Sequence, residues 1–232
     1  MISIRTMLWS SVGKKIINAL TGLMLVVFIT VHLIGNLALL RSDSTPFNKY
    51  CHFLESTGIL LYVVEIGLVA VFLFHIVMAI AVWFDKKRAR PEPYIVNKDA
   101  GSPSKKTWSS KNMIITGLVL IVFTVIHVIT FKYGPGVADG YMSNINGVEM
   151  RDLYRVVAET FHNIYYVIAY LTVIILLGLH LRHGFWSAFQ SLGLQHPRLV
   201  PLIYSLGIII TIALAVGFLF LPIYIYFGGG AI

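Results

Sequence analysis

The chain has 232 residues, 57% of them hydrophobic and only 12% charged. A soluble domain carries about 25% charged residues, so this composition argues against an ordinary soluble enzyme and for a membrane protein. The formal net charge of +8 is no nucleic-acid footprint, because the basic residues sit between long apolar runs, where they report topology.

The first apolar run, Ile16 to Leu40, follows Arg5, Lys14 and Lys15. It is too long for the apolar part of a signal peptide and no A-x-A-like site follows it, so it is expected to be a retained first span. A span needs about 20 apolar residues. Five segments qualify, roughly 16–40, 58–84, 112–131, 160–189 and 201–227. The fifth starts at Pro201, a favourable first-turn residue. The single Cys51 has no internal disulfide partner and reads as a small apolar residue. The expected fold is an all-α membrane protein of five transmembrane helices in one membrane domain, residues 1–232.

Orientation follows from the loops. Arg5, Lys14 and Lys15, the eight Lys and Arg of the 85–111 loop, and Arg182 and Arg198 make 13 basic residues on one side. Arg41, Lys49, Lys132, Arg151 and Arg155 make 5 on the other. The basic side is expected in the cytoplasm, with the N-terminus inside and the C-terminus outside. The 85–111 segment reads as a cytoplasmic linker and 132–158 as its external counterpart.

The chain also repeats itself. Thr21 to His32 reads TGLMLVVFITVH and Thr116 to His127 reads TGLVLIVFTVIH, identical at seven of twelve positions. Shared Leu and Val mean little in apolar helices, whereas a Thr-Gly pair with a histidine ten residues after the glycine means more. The following helices correspond as well, with Glu55 20 residues before His75 and Glu159 21 before His180. Spans one and two therefore resemble spans three and four, and parallel repeats are a known way to build a site between helices.

Of the eight histidines, His32, His75, His127 and His180 fall inside apolar spans, one on each of four consecutive spans. A lone intramembrane histidine could simply bond a neighbouring carbonyl, but ionisable residues there are costly and four in this pattern point to function. At a rise of 1.5 Å per residue, His32 and His127 lie about 25 Å and about 24 Å from the cytoplasmic edge, and His75 and His180 about 16 Å and about 15 Å. Two histidines at one depth on different helices can clamp a flat ring from both faces, as axial ligands of haem iron do. Zinc wants three or four converging ligands, thiolates or carboxylates among them. Two bis-histidine haems b are therefore expected, in a bundle formed by the first four helices. Gly22, Gly35, Gly117, Gly178 and Gly184 could admit a macrocycle close to the backbone or serve ordinary helix packing.

On these motifs the chain resembles the five-helix, two-haem cytochrome b subunit of succinate:quinone oxidoreductases and fumarate reductases. The resemblance covers essentially all five spans. It rests on the two Thr-Gly to His runs, FNKYCHFLES (Phe47 to Ser56), EIGLVAVFLFH ending at His75, and HLRHGFWSAFQSLG from His180. In the family the fourth-helix ligand is followed four residues later by glycine, which His180 and Gly184 match, leaving His183 as a fallback. The resemblance implies that the His32–His127 haem is distal and the His75–His180 haem proximal to two cytoplasmic partners, a flavoprotein with covalent FAD and an iron–sulfur protein. It implies menaquinone as the quinone and a multi-pass place in a bacterial cytoplasmic membrane. The dicarboxylate chemistry then lies in the partners, and this chain anchors them and carries electrons.

A quinone needs an apolar slot with one or two polar groups. Trp9, Ser10, Ser11, Lys14 and Trp83 are candidates on the cytoplasmic side, although interfacial aromatic and basic anchors have the same composition. Glu55, Glu65 and Glu159 are candidates on the outer side, where a carboxylate could relay protons. By position, Asn18, Ser110, Arg182 and His183 are candidates for the propionates of the proximal haem, with Arg182 equally suited to snorkelling. Competing readings are the di-haem subunit of a nitrate reductase or formate dehydrogenase, in which ligands are distributed differently among the helices, and a cofactor-free proton-coupled transporter.

Overall fold

The protein is described here by a computed structural model covering residues 3–41, 43–89 and 112–229. Of these residues 82% are helical. In chain order the helices are α1 (Ile4–Leu8), α2 (Ser11–Asn36), α3 (Thr45–Ser56), α4 (Ile59–Arg88), α5 (Met113–Phe131), α6 (Leu153–Phe161), α7 (Ile164–Ser191) and α8 (Leu199–Tyr224). A hairpin of β1 (Met142–Ile145) and β2 (Val148–Arg151) separates α5 from α6.

Among the described residues five segments are long and apolar enough to cross a bilayer: Ser11–Leu40, Ile59–Arg88, Met113–Phe131, Ile164–Ser191 and Leu199–Gly228. Large apolar side chains on them face outward, such as Val27 at 65% and Ile66 at 70% exposure. Apolar surface on this scale suits lipid rather than water. The chain is therefore a multi-pass membrane protein.

Local chemistry sets the helix starts. Ser10 Oγ accepts from the Gly13 amide at 3.0 Å and caps α2. Asp152 accepts from the Arg155 amide at 3.1 Å and caps α6. Asn163 accepts from the Tyr165 amide at 3.0 Å at the start of α7. That cap corrects the fourth span, expected from residue 160: α6 ends at Phe161 and α7 begins at Ile164. The 132–158 segment is likewise more than a loop. Its hairpin turns on Asn146 and Gly147, both at positive φ (57° and 81°), the backbone that an Asn-Gly turn supplies.

The chain divides into two compact units. One comprises Met1–Val26, Leu68–Leu118 and Leu179–Thr211. Its core gathers Phe185, Trp186 and Ile203, with Leu23, Val26, Phe189 and Tyr204 packed against them. The other comprises Val27–Gly67, Val119–Gly178 and Ile212–Ile232. Its larger core includes Leu39, Phe47, Tyr154, Ala158, Phe161, Tyr170 and Ile225. Asn48, fully buried, staples α3 to the start of α6: its Nδ2 donates to Asp152 Oδ1 at 2.8 Å and its Oδ1 accepts from the Tyr154 amide at 2.9 Å.

Candidate haem sites

In the first unit α4 and α7 bring His75 and His180 together, with ring centroids 6.5 Å apart and planes at 70°. It is the His180 ring, not that of His183 one turn further on, that meets His75. Each ring rests on a Thr-Gly pair from another helix. His75 Nδ1 lies 3.4 Å from Thr21 Oγ1 on α2. His180 Nδ1 lies 3.1 Å from Thr116 Oγ1 on α5. Both threonines are buried, at 8% and 2% exposure. The adjoining glycines make the approach possible. A Cβ on Gly22 would stand 3.2 Å from His75 Cε1, and one on Gly117 would stand 3.7 Å from His180 Cε1. The repeated Thr-Gly thus has a structural meaning: each copy holds a histidine carried by a later helix.

In the second unit α2 and α5 bring His32 and His127 together, with centroids 5.8 Å apart and planes at 83°. The surroundings are aromatic. Phe28 stacks on His32 at 5.5 Å and Phe218 lies 6.0 Å away. Phe123 and Phe131 flank His127 at 5.6 and 5.2 Å. Its Nδ1 lies 3.1 Å from the hydroxyl of Tyr170, a residue 7% exposed.

Two imidazoles bound to one metal on opposite sides, each through a bond of about 2 Å, have centroids about 6–6.5 Å apart once half a ring is added on either side. The two pairs lie at or close to that spacing. Each pair offers two imidazole donors, the number a haem iron takes from a protein that ligates both its faces.

The other candidates have varied settings. Asn18 Oδ1 is buried without a hydrogen-bond partner among the described residues. Turned over, that amide presents an N–H donor of the kind a propionate accepts from. Arg182 is exposed and donates to the Tyr204 hydroxyl at 3.4 Å. His183 is half-buried, and Ser110 lies outside the described residues. Lys14, buried at 7%, forms an ion pair with Asp85 and lies 5.7 Å from the Trp9 ring. Trp83 is covered by Lys87 Nζ at 4.2 Å. Ser10 is spent as a cap, and Ser11 is exposed.

Of the three acids, Glu55 is exposed and Glu65 is ion-paired with Lys132. Glu159 lines a cleft of about 320 Å³, formed with Ile129, Pro135, Tyr141, Val156 and Tyr166 among others. The Tyr141 hydroxyl donates to it at 2.5 Å and Arg155 Nε at 2.7 Å. These two donors, the tyrosine first, hold its carboxyl below the usual carboxylate range. Burial pushes the Cys51 thiol up to about 12, which favours its protonated form.

Comparison with protein-family models, with curated proteins and with solved structures finds no match to the chain.

Proposed function

We propose that the chain is the di-haem cytochrome b anchor of a succinate:quinone oxidoreductase or fumarate reductase, passing electrons between an iron–sulfur partner and a quinone, with menaquinone the preferred one. The observation that supports this reading is the pairing of four intramembrane histidines into two couples, with ring centroids 5.8 and 6.5 Å apart. Haem b, when bound, supplies one-electron transfer at each site. The chain's own residues do the rest. His75 and His180 would hold one iron and His32 and His127 the other. Thr21, Thr116 and Tyr170 orient three of the four rings, and the Asn18 amide would donate to a propionate. The apolar spans keep water from the rings. The Glu159 cleft, with Ile129, Pro135 and Val156 beside the polar Thr130, Thr160 and Tyr141, is the preferred quinone site among the candidates, and its carboxylate would exchange protons with a quinol hydroxyl.

Tagging the chain and purifying it from its native membrane tests the assignment. The expected preparation contains covalently bound flavin and iron–sulfur clusters and couples succinate oxidation to reduction of a naphthoquinone. A haem-containing preparation with molybdenum and no covalent flavin would overturn it in favour of a nitrate reductase or formate dehydrogenase type.

A further inference from the structure

The two Thr-Gly pairs do more than make room. A threonine hydroxyl has one proton to give. Thr21 Oγ1 lies 2.8 Å from the Ile17 carbonyl and 3.2 Å from that of Asn18, both closer than the 3.4 Å to His75 Nδ1. The proton therefore goes back along α2, a common local bond for a helical threonine. A lone pair then faces the imidazole. Thr21 thus requires His75 to carry its proton on Nδ1. At Thr116 the hydroxyl is 3.1 Å from the Met113 carbonyl, 3.3 Å from that of Asn112 and 3.1 Å from His180 Nδ1; the distances are no shorter to the carbonyls, but the two carbonyls can only accept and offer its one proton the same local bond along the helix.

We propose that Thr21 and Thr116 are positioning residues that accept from Nδ1–H of His75 and His180 and so leave Nε2 of each ring as the unprotonated, metal-binding nitrogen. This rests on the haem reading of that pair. Such a contact fixes both the tautomer and the ring orientation of a metal-binding histidine and raises its basicity. A more basic ligand favours the oxidised iron, so the two hydroxyls lower the midpoint potential at this site. The effect at Thr116, 3.1 Å from its ring nitrogen, exceeds that at Thr21, 3.4 Å away.

Thr116→Val and Thr21→Val keep the shape and remove the oxygen, and Thr116→Ser and Thr21→Ser restore it. The readouts, on the complete membrane complex, are haem per chain, the two midpoint potentials from a redox titration, and the ferric electron paramagnetic resonance signals. Thr116→Val is expected to raise one potential, to shift the matching low-spin signal, and to weaken haem retention there by about 10-fold or more. The other haem stays as in the wild type, and Thr116→Ser returns both values. Thr21→Val gives the same change, smaller. An unchanged potential and signal in both valine variants, or in Thr21→Val alone should Thr116→Val not accumulate, overturns the proposal while leaving the haem reading intact. Wild-type protein without haem overturns both.

Discussion

His75 and His180 sit in matching polar cradles, each with a buried threonine hydroxyl and a glycine against its ring. His32 and His127 sit among aromatic rings, and they differ from one another: His127 meets the Tyr170 hydroxyl, whereas His32 lies between Phe28 and Phe218. Yet both couples come from one repeat. Its Thr-Gly end serves one couple and its histidine end belongs to the other. A repeat thus delivers symmetry only where its own residues provide the contacts. Around His32 and His127 the matched Phe28 and Phe123 lie against their own rings, but Tyr170 from α7 meets only His127 and Phe218 from α8 stands by His32, and there the symmetry is lost.

That contrast can be broken from either side. The largest effect is expected at Asn48, which lies in the same unit as His32 and His127. Asn48→Ala strips partners from the Tyr154 amide and Asp152 and should cost about 1–3 kcal/mol. In thermal unfolding followed by haem absorbance, the haem at His32–His127 should be released at lower temperature, with the other retained longer. Equal release of both would deny the units their independence.

A Cβ is the next probe. Gly22→Ala places one 3.2 Å from His75, tighter than ordinary contact, while Gly117→Ala leaves 3.7 Å to His180. The first should disturb the spectrum of the His75–His180 haem. The second should be silent or slightly stabilising, since alanine gains about 0.5–1 kcal/mol over glycine in a helix. Tyr170→Phe removes a bond worth about 1 kcal/mol and should move only the His32–His127 potential in a redox titration.

The smallest effect concerns pH. Glu159 is held as a carboxylate by Tyr141 and Arg155, its pKa lowered in the folded protein. A depressed carboxyl contributes stability above its unfolded pKa that is lost as pH falls through the folded one. Amide protection around the α6 helix, corrected for the intrinsic pH dependence of exchange, should therefore fall on acidification below the ordinary glutamate range. Glu159→Gln should flatten that dependence, slightly, because the group is part-exposed and screened by solvent.

The spans were legible because 20 apolar residues in a row have few other fates, and the Thr-Gly to His repeat flagged every residue of the His75–His180 cradle. What the repeat could not convey was the partnership. Thr21 lies 54 positions from His75, and only helix packing joins them. Tyr170 escaped notice because a tyrosine in an apolar span looks like any interfacial aromatic. The hairpin had a local signal, Asn146-Gly147 between short alternating stretches, that the apolar runs on either side overshadowed. Helices α3 and α6 had a weaker one, since their mixed composition becomes a folded element through the Asn48 staple, a contact spanning 104 residues.

The most direct measurement is haem per chain by pyridine haemochrome in the purified complex, together with His→Ala variants at His32, His75, His127 and His180. The account predicts two haems b per chain, with His75→Ala and His180→Ala losing one spectral species and His32→Ala and His127→Ala the other. A wild-type protein without haem, or variants that do not sort into these two couples, would contradict it and return the histidines to a proton-relay role in a transporter.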